Sequence, residues 1–365
     1  MRARLQRELA EQRMTQGLID PREPLIADEK SIAVATLVSA TGSTSKKVGT
    51  KMIVGESGRL LGGVTIGGCV DAQVVEAADA LLGQGGRCML SISLDDDEAW
   101  EIGLTCGGTV DVLIDRVDVR DTEDPIRAAH AFAREAIARD ESVVIATPLD
   151  GRAAAFVLTE NGVRHGTLGD ALLNERAAAI AGEVMTSTSR VEEIEHAGAS
   201  RKIFFDRQAP ATRIVVIGAG QIAMSLTKMA RELEVHTTVV DGRDRYATRE
   251  RFPDANEIRV GMPSEIVAGI EPTKRTAVVL IAHDYKYELP VLRALLRSRV
   301  GYLGMLGSKK RGVAVRALLK EEGFTDAELD RLHTPIGLDI GGKTPPEVAL
   351  SILAELVAVR SGKRV

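Results

Sequence analysis

Aromatic side chains, cysteine and long apolar runs are scarce in this sequence of 365 residues. Aromatics make up 3% of the chain and tryptophan occurs once, so we expect a core built from Val, Ile, Leu and Ala. The three cysteines are an odd number and form no Cys-x-x-Cys pair, which argues against a disulfide scaffold and a structural zinc site. A reduced, cytoplasmic protein is therefore expected.

No window approaches the roughly 18 continuous apolar residues that a membrane-spanning helix needs, so no membrane span is expected. The first residues, MRARLQRELAEQRM, are charged throughout and lack the apolar segment of a secretory signal. The formal net charge of -5 argues against a general nucleic-acid binder, which needs a basic face. The composition, 44% hydrophobic and 27% charged, is that of an ordinary globular protein.

The order of predicted elements indicates an α/β protein with several segments. Residues 1–27 are a polar lead-in, and residues 28–119 combine strands with one helix in a compact α/β domain. Residues 120–207 form an α+β segment that either completes the first domain or stands alone, and 208–212 is the expected linker. From 213 to 365 strands alternate with helices, which predicts a Rossmann-like, doubly wound parallel sheet.

Local patterns predict several elements within these segments. Turn residues at Glu56-Ser57-Gly58 and at Asn161-Gly162 indicate hairpins. A helix is expected to begin at Val70 or Asp71 and to stop at Gly83. Its apolar positions follow helical spacing: Val70, Val74, Val75, Ala78, Leu81 and Leu82.

A glycine motif marks the start of the Rossmann-like segment. Gly218-Ala219-Gly220-Gln221-Ile222-Ala223 follows the strand RIVVI and opens a helix, so Gly218, Gly220 and Gln221 are candidates to contact a phosphate. Asp241 ends the next strand, where a carboxylate that binds ribose is expected, and Arg243 is close enough to meet a 2′-phosphate. A pocket for another phosphate ligand, or a purely structural turn, explains the same motif.

Two of the cysteines lie beside glycines. Cys69 follows Gly67 and Gly68 at the expected start of a helix, where the dipole and free amides favour a thiolate. Cys106 precedes Gly107 and Gly108, whose backbone N–H groups would be accessible. A thiolate in such a place suits a soft metal or an anionic cofactor. The alternative is that both are small buried residues, as we expect for Cys88 in a strand.

Five stretches together resemble the XdhC/CoxI family, the accessory proteins of molybdenum hydroxylases such as xanthine dehydrogenase and carbon monoxide dehydrogenase. They are GSTSKKVGTKMIVGESGRLLGGVTIGGCVDAQVVEAA, LTCGGTVDVLI, GAGQIA, HDYKYELPVLRALLRSRVGYLGMLGSKKR and HTPIGLDIGGKTPPEVALSILAEL. The resemblance covers about 31–119 and about 213–358, which are the family's two parts in the family's order, and leaves 120–205 unmatched.

The resemblance implies a chaperone, rather than a catalyst, that binds molybdopterin carrying Mo. Such a protein protects the molybdenum cofactor during sulfuration by a cysteine desulfurase and helps to deliver it to an apo molybdenum hydroxylase. The oligomeric state is open, and a homodimer is the commonest arrangement for such folds. The family's elements fall on Gly42-Ser43, on Gly68, Cys69 and Asp71, and on Cys106, Gly107 and Gly108.

By the same resemblance, Cys69 or Cys106 would be a Mo ligand through the bound cofactor, or a sulfur relay, with Cys69 the first choice. The sequence departs from the family pattern in two places. Thr44 is followed by Ser45 and Lys46 where the family usually has Pro and Arg, and a lysine lacks the bidentate grip of a guanidinium. Asp71 stands where Glu is commoner.

Two further groups lie at the ends of predicted strands. His283-Asp284 ends the strand AVVLIAHD, so His283 is a candidate proton carrier; the alternative is a surface histidine beside a capping aspartate. Gly307-Ser308 opens a helix that carries Arg311 in its first turn. A phosphate or partner contact is expected there, with a solvated basic helix end as the alternative.

Three functions remain open from the sequence. The first is the cofactor chaperone that the resemblance implies. The second is an NAD(P)-dependent oxidoreductase in which the Rossmann-like domain binds the nucleotide and His283 transfers a proton. The third is a docking protein that bridges hydroxylase and desulfurase without binding a pterin.

Overall fold

A computed structural model gives the structure of the chain and describes residues 18–41, 48–63, 65, 67–94, 108–233, 235–361 and 363. The chain divides into two compact units, the first ending at Pro210 and the second beginning at Ala211. Each unit has its own aliphatic core.

The first unit begins with a five-stranded antiparallel sheet in the order β3-β2-β1-β5-β4. Its strands are β1 Ser31–Ala40, β2 Lys51–Gly55, β3 Arg59–Gly63, β4 Arg87–Leu94 and β5 Gly108–Asp118. The short helix α1 spans Pro24–Ala27, and the longer helix α2 spans Gly68–Gln84 and packs on the sheet through Val70, Val74 and Ala78. The predicted hairpin is confirmed, because a 3₁₀ turn at Glu56–Gly58 joins β2 and β3.

Both predicted ends of helix α2 were wrong. The helix begins at Gly68, because Gly67 and Gly68 adopt positive φ values of 111° and 61° and turn the chain into it. At the other end Gly83 remains helical, and the helix stops at Gly85, whose positive φ of 83° takes the chain out of the helix. Several glycines close together compete for that position, so spacing alone does not choose among them.

A second antiparallel sheet in the first unit has the order β8-β7-β6-β10-β9. Its strands are β6 Val143–Pro148, β7 Ala155–Thr159, β8 Arg164–Thr167, β9 Arg190–His196 and β10 Ala199–Gln208, with helices α3 Pro125–Ala138 and α4 Ala171–Val184. The predicted hairpin at Asn161-Gly162 joins β7 and β8. One shared core includes Val34 and Ile53 of the first sheet with Val143 and Val157 of the second.

The second unit contains a six-stranded parallel sheet in the order β13-β12-β11-β14-β15-β16. Its strands are β11 Arg213–Ile217, β12 His236–Asp241, β13 Glu257–Val260, β14 Thr276–Leu280, β15 Tyr302–Met305 and β16 Leu332–His333. Its helices are α5 Gln221–Glu232, α6 Pro263–Ala268, α7 Tyr285–Leu295, α8 Lys309–Glu321, α9 Asp326–Leu329 and α10 Pro345–Arg360. Counted within the sheet, the strands run 3-2-1-4-5-6, so the predicted Rossmann-like fold is confirmed.

The sheet of the second unit is covered on both faces, which is why its central strands are continuously apolar. Strand β11 places Ile214 and Val216 in one core and Val215 and Ile217 in the other. The strand order reverses between β11 and β14, whose carboxyl ends are therefore neighbours. In sheets of this kind the crevice at that reversal is where ligands bind.

Candidate functional site

The glycine turn after β11 forms one side of that crevice. Gly218 has a φ of 112°, and a Cβ there would come within 2.8 Å of the Cα of Ala282, just beyond β14. Only glycine allows this approach of the two strand ends. Gly220 precedes α5 without a side-chain cap, and a Cβ at Gly220 would meet nothing within 4 Å. Gly220 and Gln221 are also exposed, so the start of α5 is open.

Asp241, at the end of β12, holds the glycine turn from beside it. Its Oδ2 accepts hydrogen bonds from the Ala219 amide at 2.8 Å and from Nη2 of Arg243 at 2.9 Å. Its Oδ1 accepts from the Arg243 amide at 3.0 Å and from Nε of the same residue at 2.9 Å. Burial by itself would raise the pKa of Asp241, but the hydrogen bonds from Arg243 and Ala219 outweigh it and lower that pKa. The carboxylate is therefore ionised at neutral pH.

The ends of β14 and β15 carry a second group of candidate residues. His283 has a φ of 57°, unusual for a non-glycine residue, and its amide donates to Oε1 of Glu288 at 3.1 Å. Glu288 is fully buried and forms an ion pair with Arg311, whose Nη1 also donates to the Leu306 carbonyl at 3.2 Å. Burial raises the pKa of Glu288 although the neighbouring guanidinium acts against it. The pair ties the His283 turn to the start of α8.

The sequence predicts His283 and Arg311 as site residues here but does not predict Glu288. An acidic residue in the first turn of a helix is ordinarily a surface residue that complements the helix dipole. The only available signal was that Glu288 precedes the apolar run of α7, which does not reveal its buried partner 23 residues away.

Asp284 and Ser308 act as helix caps. The Asp284 side chain accepts from the Lys286 amide at 2.9 Å at the start of α7, and the Ser308 side chain accepts from the Arg311 amide at 3.2 Å at the start of α8. A Cβ on Gly307 would lie 3.0 Å from Cδ of Arg311, so this glycine leaves room for the arginine. The His283 side chain beside Asp284 is exposed.

In the first unit, the turn into α2 contains several of the predicted residues. Oδ1 of Asp71 accepts from the Thr65 hydroxyl at 2.6 Å and from the Gly67 amide at 3.0 Å, so this carboxylate shapes the turn from within. A Cβ on Gly67 or Gly68 would meet nothing within 4 Å, which leaves the turn open. Cys69 is the second residue of α2.

Other predicted residues fall elsewhere. Gly42, Ser43, Cys106 and Gly107 lie outside the described residues, and Gly108 is the first residue of β5. Cys88 lies on β4, where burial and the nearby Asp115 raise the pKa of its thiol. Among the described residues, no three His, Cys, Asp or Glu side chains form a group that could hold a metal ion.

Among the helices of the described part of the chain, none is long and apolar enough to cross a lipid bilayer.

Models of known protein families match residues in both units. Residues 25–93 match the model of the XdhC and CoxI family, and residues 214–356 match the XdhC Rossmann domain. The chain is 26% identical over 340 residues, 93% of its length and 96% of the relative, to a protein of Bacillus subtilis (strain 168) that is named as a probable subunit of xanthine dehydrogenase. It is 23% identical over 332 residues, 91% of its length and 84% of the relative, to the molybdenum cofactor insertion chaperone PaoD of Escherichia coli (strain K12).

A solved structure shares the fold. The crystal structure of a protein described as a xanthine dehydrogenase from Bacillus halodurans superposes with a TM-score of 0.72 at 23% identity. That superposition covers 98% of this chain and 96% of the other. Because one family model matches in each unit, this chain belongs to the XdhC/CoxI family.

Proposed function

We propose that this protein is an accessory factor in the maturation of a molybdenum hydroxylase. It binds the molybdenum cofactor, supports its sulfuration by a cysteine desulfurase and assists its insertion into the apo-hydroxylase. The observation that carries the proposal is the match along 91% of the chain to a protein named as a molybdenum cofactor insertion chaperone, together with the two family models. The family name alone is compatible with other roles, so the residues must also suit the cofactor.

The turn into α2 suits an anionic cofactor that carries a soft metal. Gly67 and Gly68 leave open space beside the uncapped start of a 17-residue helix, where backbone amides attract phosphate. Cys69 follows them at once, and a thiolate is a donor that soft metals prefer. Asp71 keeps the turn in shape. Cys106, which lies outside the described residues, is the alternative thiol by the family resemblance. When bound, the cofactor would bring the molybdenum and its dithiolene to these residues.

The test measures how much cofactor the purified protein retains. The chain is co-expressed with the cofactor-synthesis genes and purified anaerobically; Mo is measured by mass spectrometry and pterin by fluorescence after oxidative release. We expect stoichiometric Mo and pterin in the parent, and retention lowered about tenfold or more in Cys69→Ala. Cys88→Ala is the matched control and should retain both, since Cys88 lies on β4 with a raised thiol pKa. Well-folded parent protein without pterin would contradict the proposal.

We also propose that the second unit binds a nucleotide at the Gly218 turn. The support is the 3-2-1-4-5-6 strand order, the close approach of Gly218 to Ala282, and the open start of α5. The ligand would be either the nucleotide part of a dinucleotide form of the cofactor or a separate dinucleotide.

A second candidate function is an NAD(P)-dependent oxidoreductase. The specific observation in its favour is the exposed His283 side chain at the strand-order reversal, next to Ala282, which contacts the Gly218 turn. Turnover of a carbonyl substrate with NADH or NADPH, lost in His283→Ala, would favour this function over the chaperone. A docking protein would instead bind hydroxylase and desulfurase while carrying no pterin.

A further inference from the structure

The tripeptide Asp-Gly-Arg occurs twice in the chain, and both copies form the same local ion pair. At Asp150-Gly151-Arg152, Nε of the arginine donates to Oδ1 at 3.1 Å and Nη2 donates to Oδ2 at 2.7 Å. At Asp241-Gly242-Arg243 both corresponding distances are 2.9 Å. The pairing follows from the Asp-x-Arg spacing, since Asp20-Pro21-Arg22 forms it as well. The surroundings of each copy therefore decide what it can bind.

The surroundings of the two copies differ in burial and in position. The Asp150 side chain is 34% exposed and also meets Arg201, on a surface turn of the first unit. The Asp241 side chain is 2% exposed and lies at the carboxyl end of β12, beside the Gly218 turn. In a Rossmann-like fold this is the position that faces the ribose of a bound dinucleotide.

Asp241 has no acceptor capacity left for a ribose hydroxyl. Each of its two oxygens already accepts two hydrogen bonds, one from a backbone amide and one from the guanidinium of Arg243. A carboxylate has about four lone-pair positions, and all of them are used. A ligand with free 2′- and 3′-hydroxyls would have to displace charge-assisted hydrogen bonds to reach this carboxylate.

The group that the crevice presents at this position is the guanidinium of Arg243. Its side chain is 49% exposed, and its Nη1 makes no hydrogen bond within the described part of the chain. The guanidinium lies 4.1 Å from the centroid of the Tyr246 ring, which holds it in place. The Arg251 guanidinium lies 5.3 Å from the same ring and donates to the Tyr246 carbonyl at 2.6 Å. The two guanidinium groups thus lie near the same aromatic ring.

We propose that Arg243 determines ligand specificity by binding a phosphate monoester at the 2′-oxygen of an adenosine ribose. The ligand class is then the 2′-phosphorylated dinucleotides, with Asp241 as the positioning carboxylate that fixes the guanidinium. A planar, pre-oriented guanidinium is well suited to phosphate oxygens. The proposal rests on nucleotide binding at the Gly218 turn, and the experiment separates the two.

The experiment compares ADP-ribose with 2′-phospho-ADP-ribose by isothermal titration of the full chain. These probes differ by one phosphate, so the ratio of their dissociation constants measures what that phosphate contributes to binding. We expect the phosphorylated probe to bind at least about tenfold more tightly, the effect of one charge-assisted contact. Equal binding, or a preference for ADP-ribose, would overturn the inference and leave nucleotide binding intact. Binding of neither probe would remove both proposals.

Variants test whether Arg243 causes the preference for 2′-phospho-ADP-ribose. Arg243→Ala should remove the preference, Arg243→Lys should keep part of it through charge alone, and Arg152→Ala, the same change in the other tripeptide, should leave it as in the parent. A preference that survives in a folded Arg243→Ala protein would overturn the assignment. Coenzyme A, whose ribose phosphate is on the 3′-oxygen, completes the test, because tighter binding of coenzyme A would overturn the 2′ position.

Discussion

Two glycine turns lead into helices in this protein, and they are built in different ways. The turn at Gly67-Gly68 enters α2 in the first unit, and the turn at Gly218–Gly220 enters α5 in the second. Each helix follows a glycine, so no N-cap side chain caps it. In both turns a backbone amide donates to an aspartate. In the first turn that aspartate, Asp71, belongs to the same helix, whereas in the second it is Asp241 from the neighbouring strand.

Nearby residues hold the first turn, whereas several strands of the sheet hold the second. Thr65 and Asp71 shape the first turn, and a Cβ on Gly68 would meet nothing within 4 Å. The second turn packs against the backbone of Ala282 and is bonded to Asp241, so β11, β12 and β14 all define it. A change at Gly218 or Asp241, which the sheet holds, should therefore lower the stability of its unit more than the matching change at Gly68 or Asp71.

The largest expected effect is that of Gly218→Ala. The new Cβ would lie 2.8 Å from Cα of Ala282 on a backbone with a φ of 112°. We expect the second unit to lose about 2–4 kcal/mol in its free energy of unfolding, from backbone strain and overpacking together. Gly68→Ala, at a φ of 61° with open space around it, should cost about 1–2 kcal/mol, the strain alone.

Urea unfolding followed by circular dichroism measures both variants. If Gly68→Ala destabilises the protein as much as Gly218→Ala, the second turn is not more constrained than the first, and the stated difference between them is wrong.

A smaller difference is expected between the two aspartates. Asp241→Asn gives up the ion pair with Arg243 in a buried place and should cost about 1–2 kcal/mol. Asp71→Asn keeps an acceptor for the Thr65 hydroxyl and the Gly67 amide, and should cost less than about 1 kcal/mol. Equal losses in urea unfolding would show that the ion pair adds nothing to the second turn.

The effect of Asp241 should also depend on pH. Its folded pKa lies below the ordinary value of 3.8, so its stabilising contribution is complete above that value and is lost as the pH falls through the folded pKa. The difference in unfolding free energy between parent and Asp241→Asn should be constant from pH 7 to about 5 and shrink below about 4. Unfolding curves at stepped pH values check this, and a difference that grows on acidification would contradict it.

The smallest effect is expected for Gly220→Ala. Gly220 has a φ of -88°, which any residue adopts, and a Cβ there would meet nothing within 4 Å. The free energy of unfolding should change by less than about 0.5 kcal/mol. Nucleotide titration of the same variant is informative, because a methyl group at the open start of α5 would hinder a phosphate. Unchanged nucleotide affinity would argue against the Gly218 turn as the phosphate position.

The sequence predicted those features that depend on neighbouring residues. The Rossmann-like fold followed from apolar strands that alternate with helices, and the position of Gly218 followed from its place directly after β11. Family membership followed from motifs that are continuous in the chain. Strand β9 was missed, because RVEEIEH carries mostly charged side chains and only Ile194 among its residues is buried.

Features that depend on distant partners were not predictable. The end of β12 indicated where Asp241 lies, but only the structure shows that Arg243 and Ala219 occupy both of its oxygens. Glu288 looked like a surface residue until its ion pair with Arg311 was known. The roles of Cys69 and Cys106 remain predictions, since they concern a ligand and not the fold.

The most direct test of the proposed function is a transfer experiment with the purified, cofactor-loaded protein. It is mixed anaerobically with an apo molybdenum hydroxylase, the two proteins are separated, and Mo is measured in each alongside hydroxylase activity. We expect that Mo leaves this protein, appears in the hydroxylase in equal amount and is accompanied by activity. Mo that stays with this protein, and a hydroxylase that gains no activity, would contradict a role in cofactor insertion.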